Sequence, residues 1–273
     1  MTVDLAQAVS YIEEHGTELE RARANYVLYG TRPERSVVLA LGELQNADGG
    51  FPFRMVKGNP TGMNNTHGAL LRLEELGLLD SGMAGRAFEY ILSNQRGDGG
   101  WDEEAAVAEY GPPPWACPGE IRARIFLSAQ SAFWLAIGGF EDRSEFPEAL
   151  GFLAEHQGES GRLEGFLHTT WIATSAFLMA GEGYNEAARK GLVALLAEPL
   201  YGWVDSQISW ALHCLGMAGL PKENPFVGQS LAELTRRQSG DGRWASEDGE
   251  ARTVGAVIEV LKVLKLYGEL PRF

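Results

Sequence analysis

The chain has 273 residues, 45% hydrophobic and 22% charged, an ordinary globular composition long enough to bury roughly three quarters of its unfolded surface. A formal net charge of −14 argues against nucleic acid or an anionic membrane as a main partner. Two cysteines (Cys117 and Cys214) make no disulfide framework, the acidic amino terminus is not a signal peptide, and no segment approaches 18 uncharged apolar residues; a cytoplasmic protein with no membrane span is expected.

Taken in chain order, the apolar periodicity predicts twelve helices in six consecutive pairs. They fall near 3–15/17–29, 33–46/64–78, 83–96/121–138, 144–157/167–181, 185–197/205–219 and 224–238/251–268. In 64–78, Leu70, Leu73 and Leu76 recur at helical spacing, and Gly77 can supply a left-handed C-cap. Asp205 is a candidate N-cap before Ile208, Ala211, Leu212 and Leu215. In 253–266 the stripe is Val257, Val260, Leu261 and Leu264; its β-branched residues lower helix propensity, but its period is not that of a strand. The second helix of each later pair is apolar on all sides, as in SAQSAFWLAIGG, whereas the first carries more charge. Helices apolar all round belong inside and amphipathic ones outside. Six inner and six outer helices in alternation describe an all-α fold, an (α/α)6 toroid, and an open superhelix would want polar capping repeats at both ends. The whole chain, 1–273, is read as one such domain.

A recurring phrase punctuates these helices: QNADGGF at 45–51, QRGDGGW at 95–101 and QSGDGRW at 238–244, with worn copies QGESGRLEGF at 157–166 and EPLYGW at 198–203. The starts at Gln45, Gln95, Gln157, Glu198 and Gln238 are 50, 62, 41 and 40 residues apart, which suits two helices and a turn per unit. Its glycines can take positive φ in a tight reversal, and its aspartate can accept backbone N–H bonds. The glutamine amide can tie neighbouring backbone ends together while the aromatic covers it. These are structural roles.

A glutamine, a glycine-rich turn and an aromatic closing an outer helix resemble the QW-type repeat of squalene, oxidosqualene and related terpene cyclases. Protein prenyltransferase β subunits share the fold with looser copies. The resemblance covers about 35–270 and implies the closed α/α toroid; the motif marks the scaffold and leaves the reaction open. Class II terpene cyclases protonate their substrate with an aspartic acid in a D-x-D-D motif, and this sequence has none. Its nearest acidic clusters, Asp102-Glu103-Glu104 and Glu247-Asp248-Gly249-Glu250, follow repeat turns and read as solvated loop carboxylates. Prenyltransferases hold zinc with Asp-x-Cys at one inner-helix start and a His at a later one. Here Asp205 matches, but Gln207 replaces the cysteine and Arg252 stands where the histidine would be. Neither supplies a ligand that zinc prefers, so no metal and no cofactor is expected. Adjacent His213 and Cys214 read as core or boundary residues. Cys117-Pro118-Gly119-Glu120 only faintly resembles the G-C-G-E-Q of complement-type thioester domains and lacks its glutamine.

Polar residues remain at the inner-helix starts: Asn64, Asn65, Thr66, His67, Arg122, Arg124, His168, Thr169, Thr170, Asp205, Gln207, Arg252 and Thr253. Donors and cations at positive helix ends suit an anion such as diphosphate, while N-capping and rim ion pairs explain the same residues. Phe126, Phe133, Trp134, Trp171, Phe177 and Trp210 either line a cavity for an isoprenoid chain or pack the core. The segment 102–120, with three prolines, Tyr110 and Trp115, reads as a lid or binding loop, and 52–63, with Arg54 and Lys57, as a second rim. The resulting expectation is binding of an isoprenoid or similar apolar small molecule in a central cavity, with prenyl transfer or terpenoid cyclisation as the chemistry. Asp205 and His168 are the acid/base candidates; His67, Arg122, Arg124, Trp134, Trp171, Gln207, Trp210 and Arg252 are the substrate-binding candidates. The alternative is a non-catalytic binding or assembly module that retains the toroid.

Overall fold

A computed structural model describes residues 2–270. Twelve α-helices are present among the described residues: α1 (Leu5–His15), α2 (Glu18–Tyr29), α3 (Arg35–Gly42), α4 (Met63–Glu74), α5 (Gly82–Ser93), α6 (Ile121–Ile137), α7 (Glu145–Glu155), α8 (Leu167–Ala180), α9 (Asn185–Ala197), α10 (Asp205–Met217), α11 (Pro225–Arg237) and α12 (Thr253–Leu266). Each coincides with a helix expected from periodicity, and most ends differ by one to three residues. The exceptions have local causes. α3 stops at Gly42, and Leu44 and Gln45 turn back onto Leu41 and Gly42 as the chain tightens into the repeat turn. α4 stops at Glu74 because Gly77 adopts φ 67° and Leu78 N–H returns to the Leu73 carbonyl at 2.8 Å, a Schellman-type end.

Chain contacts divide the molecule into two compact units, Val38–Leu195 and the two segments Met1–Val37 and Leu196–Phe273. In the larger unit α6 packs on α4, α7 and α8. Burial follows composition: α6 buries thirteen of its seventeen residues, whereas α9 buries four of thirteen. In the other unit α12 packs on α1, α2 and α10, and α10 on α11. α2 begins with a capping box between Thr17 and Glu20, which satisfies two N–H groups that the helix itself cannot. Periodicity gave no sign of one small feature. Residues 51–52 and 61–62 form a two-residue antiparallel ladder, so the expected rim loop is a hairpin rather than open coil.

The repeated phrase is built the same way in both units. Gln45 Nε2 donates to the Gly49 carbonyl (2.7 Å) and to Met83 O (2.9 Å) at the start of α5. Gln95 binds Gly99 O and Glu145 O at the start of α7, and Gln157 binds Gly161 O and Ala187 O at the start of α9. Gln238 repeats the pattern on Gly242 O and Asp4 O before α1. Each amide thus closes its own turn and satisfies a carbonyl where the next covering helix begins. Asp48 and Asp98 accept the Gly50 and Gly100 N–H groups, as expected of that aspartate. The glycine is required for two reasons at once. At Gly161 φ is +86°, and an added Cβ would lie 2.1 Å from the Lys190 carbonyl oxygen. The aromatics Phe51, Trp101 and Trp244 are at most 1% exposed, and the two indoles donate to Ile91 O and Leu234 O. In the copy at 157–166 it is Leu163, not the expected Phe166, that occupies the aromatic's place, and it is buried too. The copy at 198–203 has Glu198 in place of glutamine; there Arg237 donates to Leu200 O and Trp203 O.

Candidate functional site

In the larger unit, polar groups gather where α4 begins. Gly62 precedes α4 and offers no side-chain cap, so the first amides of the helix need partners from elsewhere. Glu103 supplies them: its carboxylate accepts from Met63 N at 2.6 Å and Asn64 N at 2.9 Å. Glu103 is 1% exposed, which overturns its reading as a solvated loop acid. Burial pushes its carboxyl up to about 7, against the pull of the two N–H groups, and Asp102 and Glu104 add to the rise. Tyr90 lies in the same acidic setting; burial first, then Glu104, Glu103 and Asp48, raise its phenol well above the usual range.

One turn into α4, His67 is 1% exposed and its Nε2 lies 2.9 Å from Ser131 Oγ of α6. Burial lowers the imidazole to about 3, so it is neutral and can carry one ring proton only. Its Nδ1 has no hydrogen-bond partner, and neither has the buried Asn65 Oδ1. Asn64 Oδ1 accepts from Gln130 of α6 at 3.3 Å, a second tie between the two helices. These unspent polar atoms can hold a polar substituent or water in place.

The other expected residues of this unit divide by what they touch. Arg124 is committed: it binds both oxygens of Asp98, the aspartate of the repeat turn, and lies over the Phe152 ring. Burial alone would raise Asp98, but the Arg124 bond and the Gly100 N–H hold it below its ordinary value. Arg122 is exposed beside Gly165. Trp134 is buried edge-on to Phe133. His168, half-buried, stands 4.7 Å from the fully buried Trp171 ring and edge-on to Phe126 at 6.5 Å.

In the smaller unit Asp205 is the first residue of α10, and Val204 holds the N-cap position, so the expected cap is shifted by one. Gln207 Oε1 accepts the Val204 N–H at 2.9 Å, and its amide donates to Glu247. The Asp205 carboxylate turns away from its helix: Oδ1 accepts from Arg237 at 3.1 Å and Oδ2 from the Ala245 N–H at 2.8 Å. Trp210 is half-buried and Arg252 exposed in a short 3-10 turn before α12. His213 and Cys214 are both buried, in keeping with their reading as core residues. Among the described residues no three His, Cys, Asp or Glu side chains group as metal ligands, and no helix is long and apolar enough to cross a membrane. Sequence reasoning misread Glu103 and passed over Ser131 and Arg237. Only the position of Glu103, two residues after a repeat aromatic and at the foot of the longest insertion, could have singled it out.

No family model and no curated protein matches the chain. Solved structures do. A variant of the type II terpene cyclase MstE from Scytonema, in complex with merosterolic acid A (product), is similar at TM-score 0.64 and 15% identity, covering 97% of this chain and 96% of that one. Another MstE variant, in complex with geranylgeranyl dihydroxybenzoate (substrate), has TM-score 0.61 and 15% identity over 93% and 87%. A protein from Actinoplanes has TM-score 0.63 and 16% identity over 96% and 98%. The likeness shows the fold: all-α, of the terpene-cyclase toroid type. At this identity it says nothing of residue roles.

Proposed function

We propose that the chain binds an isoprenoid-type apolar small molecule against the aromatic faces of its buried helices, with terpenoid cyclisation or prenyl transfer as the associated chemistry. The observation that carries this reading is the fold likeness over nearly the whole chain to a type II terpene cyclase whose solved complexes hold geranylgeranyl dihydroxybenzoate as substrate and merosterolic acid A as product. Burying fifteen carbons at about 0.8 kcal/mol each contributes on the order of 10 kcal/mol before the costs of association. In the larger unit the buried Trp134 and Trp171 are the aromatic candidates, His67 has an unspent polar atom, and Arg122 is the exposed cation beside an Arg124 already held by Asp98. His168 is the acid/base candidate there; Asp205, with Gln207, Trp210 and Arg252, is the counterpart in the smaller unit. Cytoplasmic residence of a single toroid domain completes the reading.

Titration with farnesyl and geranylgeranyl diphosphate, followed by thermal shift and native mass spectrometry, tests it. Saturable binding of either supports it, and no effect of either at saturating ligand removes it. A second reading is a binding module without chemistry. It is favoured by Asp205, whose two oxygens are engaged by Arg237 and Ala245. Binding without any product on prolonged incubation would select that reading.

A further inference from the structure

Segment 102–120 is the longest departure from the repeat, and its two feet are pinned together: Asp102 Oδ1 accepts the Gly119 N–H at 3.0 Å. A loop whose ends meet in this way can move as one body. Discrete ties fasten it to the rest of the larger unit: residues 114–116 pack on α6, Asp102 Oδ2 lies 3.8 Å from Arg124 Nε, and Glu104 bonds the Tyr90 phenol. The buried Glu103 carboxylate grips the first two amides of α4, Met63 and Asn64. Val107 and Ala116 are each 0% exposed and serve as small plugs. Further out, Arg54 Nη2 donates to Gly111 O at 3.2 Å, and the Phe53 and Tyr110 rings meet edge-on at 6.2 Å. Between these points the backbone runs on the surface, and Tyr110 and Trp115 are both 38% exposed. The outer clip is itself unrelaxed. Arg54 and Met55 hold φ of 59° and 56°, two L-residues in succession in the left-handed region, kept there by the short ladder on either side.

We propose that residues 102–120 form a strap that opens and closes as one piece over the start of α4, with Glu103 as its latch and Arg54 as its outer clip. Two small apolar plugs and a handful of polar ties place the strap at the low end of local opening energies, well below the helices under it. Opening uncovers the α4 start with its Asn64 and Asn65 and parts residues 114–116 from α6, which itself stays folded. The inference stands whether or not the ligand is an isoprenoid.

Hydrogen exchange on the full-length protein at pH 7.5 tests it. Strap amides between 105 and 118 should exchange by a local route, ahead of the amides of α6 and α8. Glu103→Ala, which leaves two helix-start N–H groups without an acceptor, should accelerate strap exchange by about tenfold or more and leave α8 and α10 unchanged. Arg54→Ala, at an exposed position, should accelerate it by about threefold. Strap amides that exchange only with the helices, at the global unfolding rate in wild type and in R54A alike, would overturn the proposal. Should E103A fail to fold, the wild-type and R54A profiles decide the matter.

Discussion

The starts of α4 and α10 are two versions of one arrangement with opposite polarity. At both, the chain that follows a repeat aromatic runs beside the beginning of a buried helix and is joined to it by a carboxylate. At α10 the carboxylate belongs to the helix: Asp205 reaches out to Ala245 N–H and pairs with Arg237, which Glu233 shares. At α4 it belongs to the loop: Glu103 reaches in to Met63 and Asn64 N–H, with no cation against it among the described residues. The difference sets their electrostatics. A guanidinium fork satisfies a carboxylate and two carbonyls at the α10 start, which makes that end a fixed joint. Two amide dipoles only partly offset the burial of Glu103, so the α4 end is a joint that titrates.

The largest effect that would sharpen this contrast is expected from Arg237→Ala. It strips the donor from Leu200 O, Trp203 O and Asp205 together, and should cost about 3–5 kcal/mol in urea unfolding. A loss under about 1 kcal/mol would mean the α10 joint is not held by that fork.

The next is a pH dependence confined to the other joint. Glu103 titrates at about 7 in the fold against 4.5 for an unhindered glutamic acid, so folding takes up a proton between those values. Its contribution is full below about 4.5 and is lost as pH rises through 7, up to about 3 kcal/mol. Asp102, Glu104 and Tyr90 are the titratable neighbours, so the wild-type curve should be compared with that of Glu103→Gln. Equal slopes for the two proteins between pH 5 and 8 would break the comparison. Gln95→Ala weakens the turn that delivers Glu103 and leaves Gly99 O and Glu145 O without their donor; a loss of about 2 kcal/mol by denaturant titration is expected. Arg54→Ala should be the mildest, under about 1 kcal/mol globally, its effect appearing in strap exchange alone.

The fold was legible because its signals are local. Gly77, the Leu70–Leu73 stripe and the glutamine, glycine and aromatic of each repeat turn act on neighbours a few residues away or at the next helix start. All twelve helices could be placed from them. The worn copy at 157–166 shows how robust the rule is: Leu163 fills the aromatic's place, and Gln157 still ties Gly161 and Ala187. The site was less legible. Arg124 and Arg122 are near neighbours in sequence, yet one is spent on Asp98 and the other is exposed. Glu103 and Glu104 read alike as letters, but the first is buried on the α4 amides and the second is half-buried against the Tyr90 phenol. Asp205 has the spacing of an N-cap, yet its oxygens go to residues 32 and 40 positions away.

The sequence alone determined the number and order of the helices, which of them are buried, and the reversals between them, because periodicity, capping and glycine φ preferences are decided within a few residues. The tertiary structure alone decided which polar side chain meets which. A carboxylate's partner, burial and proton affinity depend on groups brought up by distant segments, such as residues 63 and 64 for Glu103 and residue 237 for Asp205. Such long-range pairings leave no period in the chain.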